Sequence, residues 1–109
     1  MKIDFNALTE SAVPHFKGGE LDTMMRSYMD DDVKIMINRL IPGASVGMHT
    51  HETSCEIIYI LSGTGTSICD GLEEVLTPGC CQYCKKGGTH TLMNNGKEDL
   101  VFFAVVPEV

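Results

Sequence analysis

Short runs of turn-forming residues interrupt this chain at close intervals from residue 42 onward. Proline, glycine, asparagine and aspartate favour tight turns because they fix or tolerate backbone angles that other residues avoid. Most of the intervals between these runs are too short for a long helix but fit one short strand. The runs are Pro42-Gly43, Asp70-Gly71, Pro78-Gly79, Gly87-Gly88 and Asn94-Asn95-Gly96.

The segments between the turns are rich in residues that favour strands, and several alternate apolar with polar positions. Helices do not alternate with them, so a parallel sheet is disfavoured. The chain is therefore predicted to be all-β, folded as a sandwich or barrel. The predicted strands are residues 33–41, 56–61, 64–69, 73–76, 80–85, 90–93 and 100–106.

The first 32 residues lack a clear period and are treated as an N-terminal extension of the β domain, which spans residues 33–109. Residues 7–13 fit a short helical turn. Residues 21–29 have helix-like apolar spacing and fit an edge strand equally well. The extension is expected to pack on the β domain or on a dimer partner.

Charge and composition narrow the classes of partner. A length of 109 residues fits one domain, and a net charge of −7 argues against nucleic acid or an anionic membrane as partner. No apolar run reaches the roughly 18 residues of a membrane span, and the first residues do not resemble a signal peptide. Five cysteines, an odd count, are expected to be free thiols in a reducing compartment. We expect a cytoplasmic protein.

Two of the four histidines, His49 and His51, are separated by one residue. Residues two apart in an extended strand point to the same face, so both imidazoles can bind one metal ion. Glu56, at the start of the next predicted strand, adds a carboxylate, and His90 is a candidate fourth donor. This donor set suits divalent iron, manganese, nickel, zinc or copper. An octahedral ion would keep two positions open for water or a bidentate ligand.

The same residues lie in two spaced motifs that resemble those of the cupins. The first motif is a glycine, a His-x-His pair, a glutamate and a second glycine, filled here by Gly43, His49, His51, Glu56 and Gly63. The second motif is two glycines, a histidine and an asparagine, filled here by Gly79, Gly87, His90 and Asn94. Lys85 stands where cupins have a turn-stiffening proline, so this departure concerns the rigidity of that loop.

The resemblance implies a double-stranded β-helix, or jelly-roll, barrel with a short N-terminal extension. It implies one metal in the mouth of the barrel, bound by His49, His51, Glu56 and His90. It also implies a homodimer joined through one sheet face. The extension, which carries Met24, Met25 and Tyr28, is expected to add a strand across that interface.

Cupins include enzymes and binding proteins, so the fold does not decide the reaction. The first hypothesis is a metal-dependent enzyme of the isomerase, decarboxylase or dioxygenase type that acts on a small polar molecule. The alternative is a non-catalytic module that binds or senses a sugar or an organic anion. A third hypothesis is a thiol-linked role for Cys80, Cys81 and Cys84.

Two residues are candidate catalytic groups. Glu52 lies between the expected metal ligands and is an acid or base candidate at the mouth, although an exposed loop carboxylate is the simpler interpretation. Tyr83 is preferred over Tyr59 as a phenol in the cavity, because Tyr59 would face away if Glu56 faces inward.

The segment Cys81-Gln82-Tyr83-Cys84 has the spacing of zinc and redox motifs. Residues three apart in a strand point to opposite faces, so these two thiols are not expected to meet. We therefore interpret the cysteines as free thiols that act as small apolar residues.

Overall fold

The computed structural model describes residues 1–109, and it consists almost entirely of β-strands. Its helical parts are two three-residue 3-10 turns, Phe5–Ala7 and Phe16–Gly18, and neither is long or apolar enough to cross a membrane. The strands are β1 (Ser11–Pro14), β2 (Asp22–Met29), β3 (Val33–Leu40), β4 (Ser45–Thr50), β5 (Glu56–Ser62), β6 (Gly65–Cys69), β7 (Leu72–Leu76), β8 (Cys81–Cys84), β9 (Thr89–Met93) and β10 (Leu100–Pro107).

The structure confirms the predicted all-β class. Strand β3 and strands β5 to β10 agree with the predicted segments to within one residue at each end. Strand β4 is absent from the predicted strands because its sequence, which includes Gly47, contains few residues that favour strands.

The strands form two antiparallel sheets that enclose one apolar core. The six-stranded sheet has the order β1-β2-β3-β10-β5-β8, and the four-stranded sheet has the order β4-β9-β6-β7. Side chains alternate between the two faces, so in β5 Ile58 and Ile60 are buried while Ile57 and Tyr59 are exposed. Both sheets contribute to the core, whose most deeply buried members include Leu40, Ile60, Leu92, Leu100 and Phe102.

The N-terminal residues differ from the expectation. The helical turn ends at Ala7, and the predicted turn over residues 7–13 is wrong because residues 11–14 form β1. Residues 22–29 form a strand, but not an edge strand, because β2 pairs with β1 on one side and with β3 on the other. The apolar residues of this segment have helix-like spacing because some point to one face of the strand and some to the other.

Those two faces also decide which methionine a partner can reach. Met25 is 7% exposed and packs in the core of its own chain, so a partner chain could not contact it directly. Met24 and Tyr28 are only partly buried and lie on the outer face of the sheet, since strand alternation places them opposite Met25.

A close crossing of two backbone segments fixes the wall of the barrel mouth. A Cβ atom added to Gly19 would collide with the Ser45 carbonyl, and one added to Gly47 would collide with the Lys17 carbonyl. Glycine is therefore required at both positions. The crossing holds Phe16–Gly18 against β4, just before His49.

Asn94 joins three segments at the opposite end of the core. Its side-chain amide nitrogen donates to the carbonyl oxygens of Leu40 and Glu98, both at 2.8 Å, and its Oδ1 accepts from the amide of Gly96 at 2.9 Å. The residue is 1% exposed, so these bonds replace water. Asn94 therefore ties down the turn that follows β9.

We expect Asn94→Ala to lower the free energy of unfolding by about 2 kcal/mol, because the buried Leu40 carbonyl loses its side-chain donor. The exposed neighbour Asn95 is the matched control, and Asn95→Ala should change stability by less than about 0.5 kcal/mol. Urea denaturation of both variants measures the difference. Equal stability of the two variants would contradict this role for Asn94.

Candidate metal centre

Four side chains from both sheets converge at the mouth of the barrel. His49 lies near the end of β4, and His90 of β9 pairs directly opposite it. His51 follows the end of β4, and Glu56 begins β5 in the other sheet. One donor atom of each residue lies within 4.8 Å of the others. The structure therefore brings together the four residues that the sequence selected.

The donor atoms are close enough to share one ion. His51 Nε2 and His90 Nε2 each lie 3.0 Å from Glu56 Oε1, and His49 Nε2 lies 3.8 Å from it. His90 Nε2 lies 3.0 Å from His51 Nε2 and 3.2 Å from His49 Nε2. Nitrogens bound about 2.1 Å from one ion would be about 3.0 Å apart for bonds at right angles and about 3.4 Å apart for tetrahedral bonds. Most of the measured separations are close to these values, so one ion could contact all four residues.

Hydrogen bonds on the far side of each ring orient the imidazoles. His49 Nδ1 lies 2.7 Å from the Gly47 carbonyl oxygen, and His90 Nδ1 lies 2.8 Å from Gln82 Oε1. Both partners only accept, so each Nδ1 carries the proton and each Nε2 keeps its lone pair. His51 Nδ1 contacts Ser54 Oγ at 2.9 Å. Such outer contacts fix the ring orientation and tautomer of metal-binding histidines.

The electrostatics of the cluster favour a cation. Burial alone would raise the pKa of Glu56, but its contacts with the three histidines outweigh burial and hold that pKa well below its usual range. Glu56 is therefore an ionised carboxylate beside three Nε2 atoms, each of which donates to it when protonated and can bind a cation when it is not. His51 Nε2 and His90 Nε2, which lie 3.0 Å apart, repel each other when both keep a lone pair, unless a proton or a cation lies between them. The donor set fits a divalent first-row transition metal.

A cavity of about 440 Å³ opens beside the cluster. Its wall includes Phe16 and Lys17 of the N-terminal segment, Lys34 and Met36 of β3, and Glu52. Glu52 is exposed at the rim, in the loop between the ligands, as the sequence placed it. A small polar ligand could contact the cluster and these side chains together.

Tyr83 does not line this cavity, and that expectation is wrong. Tyr83 pairs with Ile57, and both lie on the outer face of the sheet, where Tyr83 is 56% exposed. The inward residue of β8 beside the cluster is Gln82, which contacts His90 and was not selected from the sequence. The sequence feature that could have identified Gln82 is its place between Cys81 and Tyr83, both of which point away from the core in this short strand.

The five cysteines are free thiols, as expected from their odd number. Cys81 is exposed and Cys84 is buried, which confirms that they face opposite sides of β8. Burial and the neighbouring Cys69 thiol raise the pKa of Cys84 to about 12, so this residue stays a thiol. The arrangement does not support a joint zinc or redox role for Cys81 and Cys84.

The family comparison agrees with this geometry. A family model described as a cupin domain matches residues 36–106, which include all four clustered residues. The chain belongs to the cupin family. The two facing antiparallel sheets form the double-stranded β-helix expected of a cupin.

The sequence comparison and the structure comparison each match a protein of Thermotoga maritima. An "oxalate-binding protein" is 30% identical over 112 residues, covering 97% of this cupin and 93% of the relative. A crystal structure of a "predicted oxalate decarboxylase" has a TM-score of 0.93 and 28% identity, with full coverage of both chains. The cupin domain of Schizosaccharomyces pombe Cnp3 has a TM-score of 0.80 at 10% identity, covering 99% of this cupin and 74% of that chain, and shows the fold alone.

The lysine that replaces the cupin proline does not leave the loop unsupported. The amide of Gly88 donates to the Lys85 carbonyl at 2.8 Å and closes the turn. The amide of Gly87 donates to the His51 carbonyl at 2.6 Å, and the His51 amide donates to the Gly88 carbonyl at 2.9 Å. The loop is therefore hydrogen-bonded directly to a residue of the cluster.

Proposed function

We propose that His49, His51, Glu56 and His90 bind one divalent transition metal and that this cupin uses it to act on a small organic anion. The observation that carries the proposal is the convergence of three imidazole nitrogens and one ionised carboxylate beside a cavity. Iron, manganese, nickel, zinc and copper all fit these donors. A bound metal would supply Lewis acidity toward a carboxylate or a site for dioxygen.

The protein's own residues would hold and orient the ligand. The Nδ1 contacts of His49 and His90 keep both rings turned toward the metal position. The cavity wall excludes part of the bulk water around the ligand, which strengthens electrostatic contacts. Glu52, exposed at the rim, is the nearest candidate for moving a proton between the cavity and solvent.

Among the reaction types open to a cupin, the relatives favour carboxylate chemistry. The sequence match is named an oxalate-binding protein, and the structure match is described as a predicted oxalate decarboxylase. We infer that decarboxylation of a small carboxylate is a better first assay than isomerisation or oxygenation. The alternative is a binding module that holds the same anion without turnover, as the name of the first relative describes for that protein.

Oxalate distinguishes the two functions. Purified protein, loaded with the metal that it carries, is incubated with oxalate, and formate release and melting temperature are both measured. Decarboxylation consumes one proton per oxalate and yields formate and carbon dioxide. Formate production that is lost in His49→Ala/His51→Ala would support the enzyme, and a raised melting temperature without product would support the binding module. If metal-loaded protein shows neither formate production nor a raised melting temperature with oxalate, the proposal is contradicted for this anion.

Gln82 tests the metal centre without removing a ligand. We expect Gln82→Ala to weaken manganese(II) binding about ten- to a hundredfold, because His90 loses the contact that orients its ring. Cys81→Ala, an exposed change in the same strand, is the control and should bind as the unaltered protein does. Calorimetric titration of the metal-free proteins gives both affinities. Unchanged affinity in Gln82→Ala would contradict the role of this contact.

We further propose that the chain forms a homodimer through the outer face of the six-stranded sheet. The strand register aligns apolar side chains from five adjacent strands in one row across this face. Contiguous apolar surface of this kind is rarely left open to water. The members of the row are Tyr83, Ile57, Val105, Ile35 and Tyr28.

The part of this face around β5 is the most open. Ile57, Tyr59 and Leu61 are 40%, 44% and 45% exposed, whereas the Phe5 ring covers Phe103 with 6.4 Å between ring centroids. The outward residues of β2 border the row, which supports a contribution from the N-terminal extension. The five free thiols support our proposal that the protein acts in the reducing cytoplasm.

Light scattering after gel filtration tests the dimer. The protein is expected to have twice its chain mass at micromolar concentration, and Tyr59→Asp is expected to reduce it to one chain mass, because a buried unpaired charge disfavours association. Leu72, which is 61% exposed on the other sheet, provides the control variant Leu72→Asp, which should remain dimeric. A monomeric mass for the unaltered protein would exclude this interface.

A further inference from the structure

Two lysines flank one aromatic ring in the wall of the cavity. The Lys34 ammonium lies 5.2 Å from the centre of the Phe16 ring, and the Lys17 ammonium lies 5.7 Å from it. We refer to Lys17 and Lys34 as the lysine pair. All three residues line the same cavity as the metal-ligand cluster. Lysines held on a common ring place two positive charges close together.

No carboxylate of the protein neutralises the lysine pair. The ion pairs of the chain involve Arg39 and the clustered histidines, and neither lysine takes part in one. Burial lowers the pKa of Lys34, and the Lys17 charge lowers it further, while the Glu56 charge opposes the change. A half-buried ammonium beside a second cation is unfavourable unless an anion joins them.

The acidic residues of the cavity are committed elsewhere or exposed. Asp30 accepts hydrogen bonds from the amides of Asp32 and Val33 and from the Tyr28 hydroxyl. Glu56 belongs to the metal-ligand cluster. The remaining two, Glu52 and Glu108, lie exposed at the rim.

The backbone fixes the lysine pair in place. Lys17 lies in the segment that crosses β4 at Gly47, and the contact leaves no room for a side chain there. His15 Nδ1 contacts the Gly19 carbonyl oxygen at 3.0 Å and closes this segment from the other side. Lys34 lies on β3, which is paired on both sides. Both charges are therefore attached to ordered elements.

We propose that the lysine pair is a second binding subsite, which holds the far carboxylate of a dianionic ligand whose near end meets the metal-ligand cluster. The proposal rests on the proposed function and adds its substrate class, a compact dicarboxylate. Lys34 is the principal residue because it is the more deeply buried of the two. Lys17 reinforces it from the rim.

Oxalate and oxamate test the subsite, because oxamate has the same size but replaces one carboxylate with a neutral amide. Calorimetry measures the affinity of both for the metal-loaded protein, and elemental analysis of the same samples measures the metal. We expect oxalate to bind at least about tenfold more tightly than oxamate. Lys34→Gln should reduce this ratio to about twofold and leave the metal content and oxamate affinity unchanged, because it removes one charge contact. Lys17→Gln should reduce the ratio less.

Two further variants keep the test decisive. Lys34→Arg should retain the preference for oxalate, and Lys97→Gln, an exposed change in the loop after β9, should not alter it. Melting curves establish that each variant is folded. Two results would overturn the subsite alone. The first is metal-loaded protein that binds oxalate and oxamate with equal affinity, and the second is a Lys34→Gln variant whose ratio of oxalate to oxamate affinity is unchanged. Absence of metal and of both ligands would overturn the proposed function and the subsite with it.

Discussion

The packing of two antiparallel sheets against each other is the constraint on which the site depends. His49 and His90 are paired in one sheet, and Glu56 begins a strand of the other. Their donor atoms can meet only because the apolar inner faces close on a common core. The core between the sheets is mainly apolar, and the four donors lie at the mouth of the barrel, beside the cavity through which a ligand can enter. Burial there raises the pKa of Glu56, but its contacts with the three histidines outweigh burial and keep the carboxylate ionised.

The cluster and the cavity beside it are complementary in charge. The cluster presents a carboxylate and three imidazole nitrogens, a donor set that favours a cation, while Lys34 and Lys17 face the same space with unpaired positive charges. A metal ion would neutralise the cluster, and an organic anion bound beside it would neutralise the lysines. The N-terminal segment takes part in this arrangement, because the contact between Gly19 and β4 places Phe16 and Lys17 on the cavity wall. The extension therefore shapes the site as well as the sheet.

Sequence reasoning was most reliable where the information was local. The spacing of His49, His51, Glu56 and His90 identified the cluster, and turn residues located seven of the ten strands. It failed where the prediction depended on which residues of a strand point inward and which point outward. Tyr83 and Gln82 are adjacent, and a shift of one residue exchanges the cavity face for the outer face. Lys17 and Lys34 were not selected because they meet only through the tertiary crossing at Gly47, which leaves no period in the sequence.

Metal content is the most direct test of the central claim. Protein purified without added metal and without an affinity tag is analysed by elemental mass spectrometry beside His49→Ala/His51→Ala, with circular dichroism to establish that both are folded. The account predicts about one equivalent of iron, manganese, nickel, zinc or copper in the unaltered protein and none in the double variant, because two of four donors are lost. No metal in either protein, even after incubation with each of these ions, would contradict it.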